Sequence, residues 1–420
     1  MTLPADSRLA ELSAKVERIV SSASVLDIHT HLYDPAFGPL LLWGLDDLLV
    51  YHYLVAEGFR HLSVSYTDFW SMDKSAQADL IWNALFIQNS PLSEACRGVL
   101  TTLHLLGLDP RRQDLPALRK WFAGWKMADY VDRCLSLAKI RGILMTNSPF
   151  DDEERPIWER GFSRDPRFQA ALRIDPLLVS WPEASAKLIQ WGYLQSSELS
   201  QTSFDGARRF LSDWASRISA RYVMVSLPPT FQYPGPTPTA RLIDEVVLPF
   251  CRDSGLPFAL MPGVKRAVNP ALRLAGDGVG RSDLSALENL CSAHPSNRFL
   301  ATVLSRENQH ELCVLARKFR NLHIFGCWWF TNTPQLIEEI TTMRLELLGT
   351  SFTPQHSDAR VIDQLIYKWQ HTRAILARCL TQKYAAMAAA GWPVTDAELQ
   401  RDVTELLGGA FQKFCGSGPQ

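Results

Sequence analysis

Eight short apolar runs, each followed by a longer segment of helical pattern, constrain this chain more than any other feature. The runs are VLDIHTH (25–31), GILMTNS (142–148), FQAALRID (168–175), YVMVSL (222–227), PFALMPGVK (257–265), RFLATVLS (298–305), NLHIFGCWW (321–329) and FTPQHSDAR (352–360). Periodicity alone does not separate such runs from buried helix pieces, but their length and the Gly, Pro or Asn beside them favour strands. Helical patterns lie between them, at 239–253, 282–293, 307–319 and 334–347. Eight β-then-α units predict an α/β fold, a (β/α)8 barrel. A doubly wound open sheet is the competitor, and no GxGxxG follows the first strand to support it.

The 420 residues are read as one barrel domain, 1–420. Its first β-to-α connection is too long to be simple, and 62–140 is read as a helical insertion or cap carrying Trp70, Trp82, Trp121 and Trp125. Those tryptophans are expected to be core. Residues 178–218 form a smaller elaboration. The C-terminal part, 361–420, is expected to hold helices at roughly 361–379, 381–390 and 395–411, with Gly391 as a stop and a frayed tail, CGSGPQ. The N-terminal stretch reads as an amphipathic helix starting near Pro4.

In a barrel of this kind chemistry gathers at the C-terminal ends of the strands. The first run ends on His29 and His31, the second on Thr146 and Asn147 with Asp151 and Asp152 beyond, the third on Arg173 and Asp175. The fifth ends on Lys265 and Arg266, the sixth on Ser305 and Arg306, the seventh on Trp328 and Trp329, the eighth on His356, Asp358 and Arg360. Charged groups are rarely buried unless paired or coordinated, so a set this polar implies a shared pocket. Residues i and i+2 of a strand share a face, so His29 and His31 present two imidazoles side by side, as a divalent metal requires. The first and eighth strands of a closed barrel are neighbours, and Asp358 would join the histidines. Two nitrogens, one carboxylate and an open position make a catalytic rather than a closed structural pattern. A helix N-cap is the plainer reading of Asp358, and His356 is read as a ligand's partner or as packing. Arg173 and Arg360 offer planar forks for a carboxylate, unless each pairs with its local acid, Asp175 or Asp358. His52 and Tyr53, in YHYLVAE (51–57), are candidate proton carriers, although such pairs are more often structural.

Charge narrows the partners. With 43 basic and 44 acidic side chains, a net charge of −1 and no basic run, there is no electrostatic case for nucleic acid or an anionic membrane. The eight cysteines form no CxxC pair, which suits a reducing compartment. The N-terminus has no apolar core of a signal peptide, and no apolar stretch reaches the roughly 18–20 residues of a membrane span. The expectation is a cytoplasmic protein acting on a small molecule, with homo-oligomer formation left open.

Seven segments, in order, resemble the uronate isomerases of the amidohydrolase superfamily. DIHTHL resembles the family's first-strand H-x-H, YHYLVAEG its D-H-Y segment, TNSPFDDE its T-D-D-P-x-D-D stretch and LRIDPL its R-P-D. GVKRAVNPALRLAGDGVGRSD is similar to the region after the fifth strand, GCWWF matches G-x-W-W-F, and HSDAR resembles the closing T-D-S-R. The resemblance implies one divalent metal ion, zinc, held by His29, His31 and Asp358. It implies a sugar-acid substrate bound by Arg173, Arg360 and Arg266 against a wall formed by Trp328, with Asp358, His52 and Tyr53 as the catalytic groups. The implied reaction interconverts a uronic acid aldose, such as D-glucuronate or D-galacturonate, with its ketose by proton transfer between C2 and C1. The chain departs from the family pattern in four places: Met261 stands where a fifth-strand histidine is usual, Asn147 and Ser148 in TNSP, Ile174 in RID and Tyr51 in YHY. These departures keep open a mononuclear metal-dependent hydrolase or decarboxylase on another acid, with Asp358 as the base for metal-activated water. A silent binding protein is a third reading, disfavoured by the retained trio.

Overall fold

The computed structural model describes residues 5–416. Its central sheet has seven parallel strands: β1 (Val25–Thr30), β2 (Ile140–Asn147), β3 (Phe168–Arg173), β4 (Ala220–Leu227), β5 (Phe258–Pro262), β6 (Phe299–Ala301) and β7 (Leu322–Ile324). Neighbours in sequence are neighbours in the sheet, from β1 through to β7. Helices cover the outer face, and a β-then-α chain that always steps the same way curls its sheet. Branched and sulfur-containing residues populate the strands because both faces are buried. Leu26, Ile28, Leu144, Met224, Met261, Leu300 and Phe325 fill the interior, and Phe411 reaches the same cluster from the C-terminal helices.

The eighth run is where the structure differs from the expectation. Residues 352–360 form no ladder, yet they bridge both edges of the sheet. On the β7 side Gly326 N–H donates to Thr353 O (2.8 Å) and Thr353 N–H to Ile324 O (3.1 Å). On the β1 side Asp358 N–H donates to His29 O (3.2 Å) and His31 N–H to Ala359 O (2.8 Å). Pro354 has no N–H to donate, and Asp358 sits in the left-handed region at φ 52°, so a regular strand cannot form here. The barrel is closed by an irregular segment.

The long connection between β1 and β2 holds a series of short helices, ending with Glu94–Leu105, Leu115–Ala123 and Met127–Ala138. Ser93 and Asp114 cap the first two of these three; such caps are worth about 1 kcal/mol each. Trp82 is buried and stacks on Phe86 (4.6 Å), while Trp70, Trp121 and Trp125 pack partly buried against the core. The two helices expected at 361–379 and 381–390 are one, Gln364–Ala389. Thr381, at the expected boundary, donates to Ala377 O (2.8 Å) within the helix, as mid-helix threonines do. The helix ends at Ala389, with Gly391 at φ 89° just beyond. The N-terminal helix runs Ala5–Ser22; Pro4 and the last four residues of the CGSGPQ tail lie outside the described residues.

Candidate active site

β1 delivers two histidines whose tautomers are set by their neighbours. The Thr146 hydroxyl on β2 donates to Thr30 O (3.0 Å), so its oxygen accepts from His31 Nδ1 (3.0 Å). On β4 the Tyr222 hydroxyl donates to Ile28 O (2.8 Å) and accepts from His29 Nδ1 (3.3 Å). Both protons are thereby placed on Nδ1, and both Nε2 lone pairs are free for a ligand. They converge on one atom, Asp358 Oδ1, at 3.5 Å from His29 and 3.3 Å from His31.

The closing segment holds Asp358 there. Asp27 is fully buried and accepts from Ser357 N–H (3.0 Å) and from the Trp369 indole (2.8 Å). This ties β1, the closing segment and the helix Gln364–Ala389 to one carboxylate. The left-handed backbone of Asp358 costs about 1–2 kcal/mol, a strain that such sites carry when the surroundings enforce it.

Electrostatics leave a gap of one charge. Burial first, then the Arg360 charge, pushes His31 down to about 3. Burial acts to raise the Asp358 carboxyl, but its contacts with His29 and His31 outweigh that and hold it well below the usual carboxylate range. An ionised carboxylate then faces imidazole lone pairs in a buried space, and His29 Nε2 and Asp358 Oδ1 have no hydrogen-bond partner. Lone pairs aimed at an anion are stable only around a cation, so the donor set fits a divalent metal.

Beside this centre opens a cavity of about 500 Å³, lined by His31, Tyr33, Thr146, Asp151, Glu154, Arg173, Asp175, Arg266 and Arg360. Arg173 makes a two-pronged pair with Asp175, Nε–Oδ2 2.9 Å and Nη2–Oδ1 3.0 Å, and Asp175 also accepts from Ser226 N–H on β4. The local pair and the cavity position therefore coexist. Arg266 stands at the exposed rim, paired with Asp277 at 2.6 Å. Arg360 forms no ion pair among the described residues, so the expected alternative pairing with Asp358 is absent.

His52 and Tyr53 begin a short helix, His52–Gly58, and line a second, smaller cavity of about 220 Å³ with Glu94, Trp329 and Asn332. Their His52 Nε2 and Tyr53 hydroxyl are buried without partners. Burial pushes Tyr53 up and His52 down, and both feel the Asp358 charge. Trp328 does not line either cavity: it packs in the barrel interior with Val264, Leu304 and Phe325. The wall position falls to Trp329, whose φ of 45° turns the chain between the two indoles.

Three groups beside the site are not among the sequence candidates. Asp27 and Tyr222 lie within strand runs and carry no spacing signal of their own. Glu154 is 1% exposed, accepts from Ser148 N–H (3.1 Å) and the Trp158 indole (3.0 Å), and lies 3.4 Å from the Tyr33 hydroxyl. Burial raises its carboxyl to about 7. Only its place at the end of the acidic DDEE run could have flagged it.

Solved structures share this architecture. A uronate isomerase from Bacillus halodurans superposes with a TM-score of 0.96 at 51% identity, covering 98% of this chain and 97% of that one. The chain belongs to the uronate isomerase family. A uronate isomerase from Thermotoga maritima (TM-score 0.73, 14% identity, 99% of both chains) shares the fold. So does a glucuronate isomerase from Caulobacter crescentus (TM-score 0.68, 16% identity, 99% of this chain and 96% of that one). No protein-family model and no curated protein matches the chain. The fold is the (β/α)8 barrel of this isomerase family, and no described helix is long and apolar enough to cross a membrane.

Proposed function

We propose that the protein interconverts a uronic acid aldose, such as D-glucuronate or D-galacturonate, with its ketose, using zinc held by His29, His31 and Asp358. The observation that carries this reading is the convergence of two Nε2 lone pairs on Asp358 Oδ1 at the edge of an arginine-lined cavity. Kinship at 51% identity to a uronate isomerase supports the substrate class. When bound, the metal supplies Lewis-acid polarisation of a substrate oxygen.

The reaction moves the C2 proton to C1 and an oxygen-bound proton from O2 to O1, so no electron acceptor is needed. Arg173, fixed by Asp175, and Arg360, with no local carboxylate, receive the substrate carboxylate. Asp358, ionised and buried, takes the C2 proton and returns it at C1. Tyr53 keeps its proton at neutral pH and donates to the carbonyl oxygen as charge develops there. Neutral His52 takes the O2 proton and delivers it to O1, so that both residues end the turnover as they began it. Eight free thiols, seven of them buried, support a reducing, cytoplasmic compartment.

Proton NMR of the zinc-loaded protein with D-glucuronate and D-galacturonate in heavy water tests the reading. A ketose with solvent deuterium at the migrating position is the expected result. Unchanged spectra with both acids, at full metal occupancy, would overturn it in favour of another acidic substrate.

A further inference from the structure

The small cavity beside His52 and Tyr53 carries donors that the reaction as drawn leaves unspent. Four side-chain polar atoms in its lining are buried without a partner: His52 Nε2, the Tyr53 hydroxyl, Trp329 Nε1 and Asn332 Nδ2. Buried polar groups are normally paired, so four around one space of about 220 Å³ point to a polar occupant.

Their neighbours fix what they can offer. Gln355 Oε1 accepts from the backbone N–H of Cys327 (2.8 Å) and of His356 (3.1 Å), so its amide nitrogen donates to Asn332 Oδ1 (2.9 Å). The Asn332 amide nitrogen is thereby left as a donor with nothing to donate to. The Trp329 indole can only donate, and Tyr53 keeps its proton because burial pushes its hydroxyl up.

Behind them lies an unpaired cation. Lys368, on the helix Gln364–Ala389, is 2% exposed, and its ammonium has no hydrogen-bond partner and no ion pair among the described residues. It stands 5.7 Å from the centre of the Tyr53 ring and 5.6 Å from that of Tyr367. Methionine would fill a similar volume without burying a charge, so packing does not explain the lysine. Glu94, the one carboxylate in the lining, is raised by burial and lowered by the Lys368 charge. Unspent donors backed by an unpaired ammonium suit an oxygen that carries negative charge.

We propose that this cavity is an oxyanion pocket, in which Trp329 Nε1 and Asn332 Nδ2 join the Tyr53 hydroxyl on the substrate O1 and Lys368, acting through Tyr53, is a positioning residue; this rests on the isomerase reading of the preceding section. When Asp358 removes the C2 proton, the C–H electron pair forms the C1–C2 double bond and the carbonyl pair moves onto O1. The three donors hold that charge until His52 delivers a proton there.

The test is steady-state kinetics with D-glucuronate and D-galacturonate on the full chain and its variants at matched metal content. Trp329→Phe keeps the wall and loses one donor, so kcat should fall about 10²-fold with KM within about twofold. Lys368→Met should lose about 10-fold in kcat, and Lys368→Arg, which restores the charge, should recover most of it. A raised KM at unchanged kcat, or a Lys368→Arg no better than Lys368→Met, would overturn the pocket and leave the isomerase standing. A wild-type chain inactive on both acids would overturn both. Wild-type protein with ¹⁵N-labelled indoles needs no variant: one indole N–H resonance should move downfield as the acid saturates, and indoles that all stay still would overturn the pocket.

Discussion

The metal centre and the arginine-lined cavity lie side by side and treat polar groups in opposite ways. Around Asp358 the donors face one another without partners: His29 Nε2, Asp358 Oδ1 and both nitrogens of His356 are unsatisfied. In the cavity, Arg360 apart, the groups are already engaged, with Arg173 on Asp175, Arg266 on Asp277 and Glu154 on Ser148 and Trp158. The first region is incomplete until a cation enters. The second is a rigid rack on which a substrate is laid, since paired forks lose little freedom on binding. Starved groups point to what must be added, and satisfied groups to what must stay still.

Breaking the starved side has the largest expected effect. Asp358→Asn removes the charge that faces the histidines and should lower turnover on the order of 10³-fold or more, with zinc content falling alongside. Asparagine tolerates the left-handed backbone, so thermal unfolding of the metal-free variant should stay near that of the metal-free wild type, and a large drop in melting temperature between those two forms would contradict the assignment. On the satisfied side, Arg173→Met leaves Asp175 without its partner and the substrate without a fork. It should lower kcat/KM about 10²-fold, mostly through KM, given roughly 1.5–3 kcal/mol for a charged hydrogen bond.

Thr146→Val keeps the shape and loses the acceptor that fixes His31. Zinc affinity measured by chelator competition should fall about 10–100-fold, whereas an unchanged affinity would mean that the tautomer is set elsewhere. The last effect falls on stability rather than on metal or substrate, and it is pH-dependent. Glu154 titrates near 7 rather than its ordinary 4.5, so its contribution to stability is fully present below about pH 4.5 and is lost as pH rises through 7. Glu154→Gln should therefore gain on the wild type with rising pH, by up to the order of 3 kcal/mol above pH 8. Denaturant melts at pH 5 and 8 check this, and a gap that does not widen removes Glu154 from the account.

Much of this architecture is legible in the residues. The first five strands fall where the apolar runs place them, because their faces are buried and their flanks carry Gly, Pro or Asn. The last three runs are longer in sequence than in structure, and in the seventh and eighth the ladder stops where Gly326 and Asp358 take left-handed conformations and Pro354 lacks a donor. His29 and His31 announce themselves by spacing alone. Glu154 and Asp27 do not, because what makes them special is burial and partners supplied by distant chain. Trp328 and Trp329 show the limit most plainly: two identical side chains, adjacent in sequence, are separated only by a backbone turn.

The Asp27 carboxylate accepts its hydrogen bond from Ser357, 330 residues further along the chain. No nascent fragment short of the closing segment can own the proposed site, because its carboxylate, Asp358, is still to be synthesised while its two histidines already stand on β1. Metal capture is thus a late event in the life of the molecule, after the sheet has curled and its last edge has been met. Under the proposed site, a chain that has captured its metal has, by that fact, finished folding.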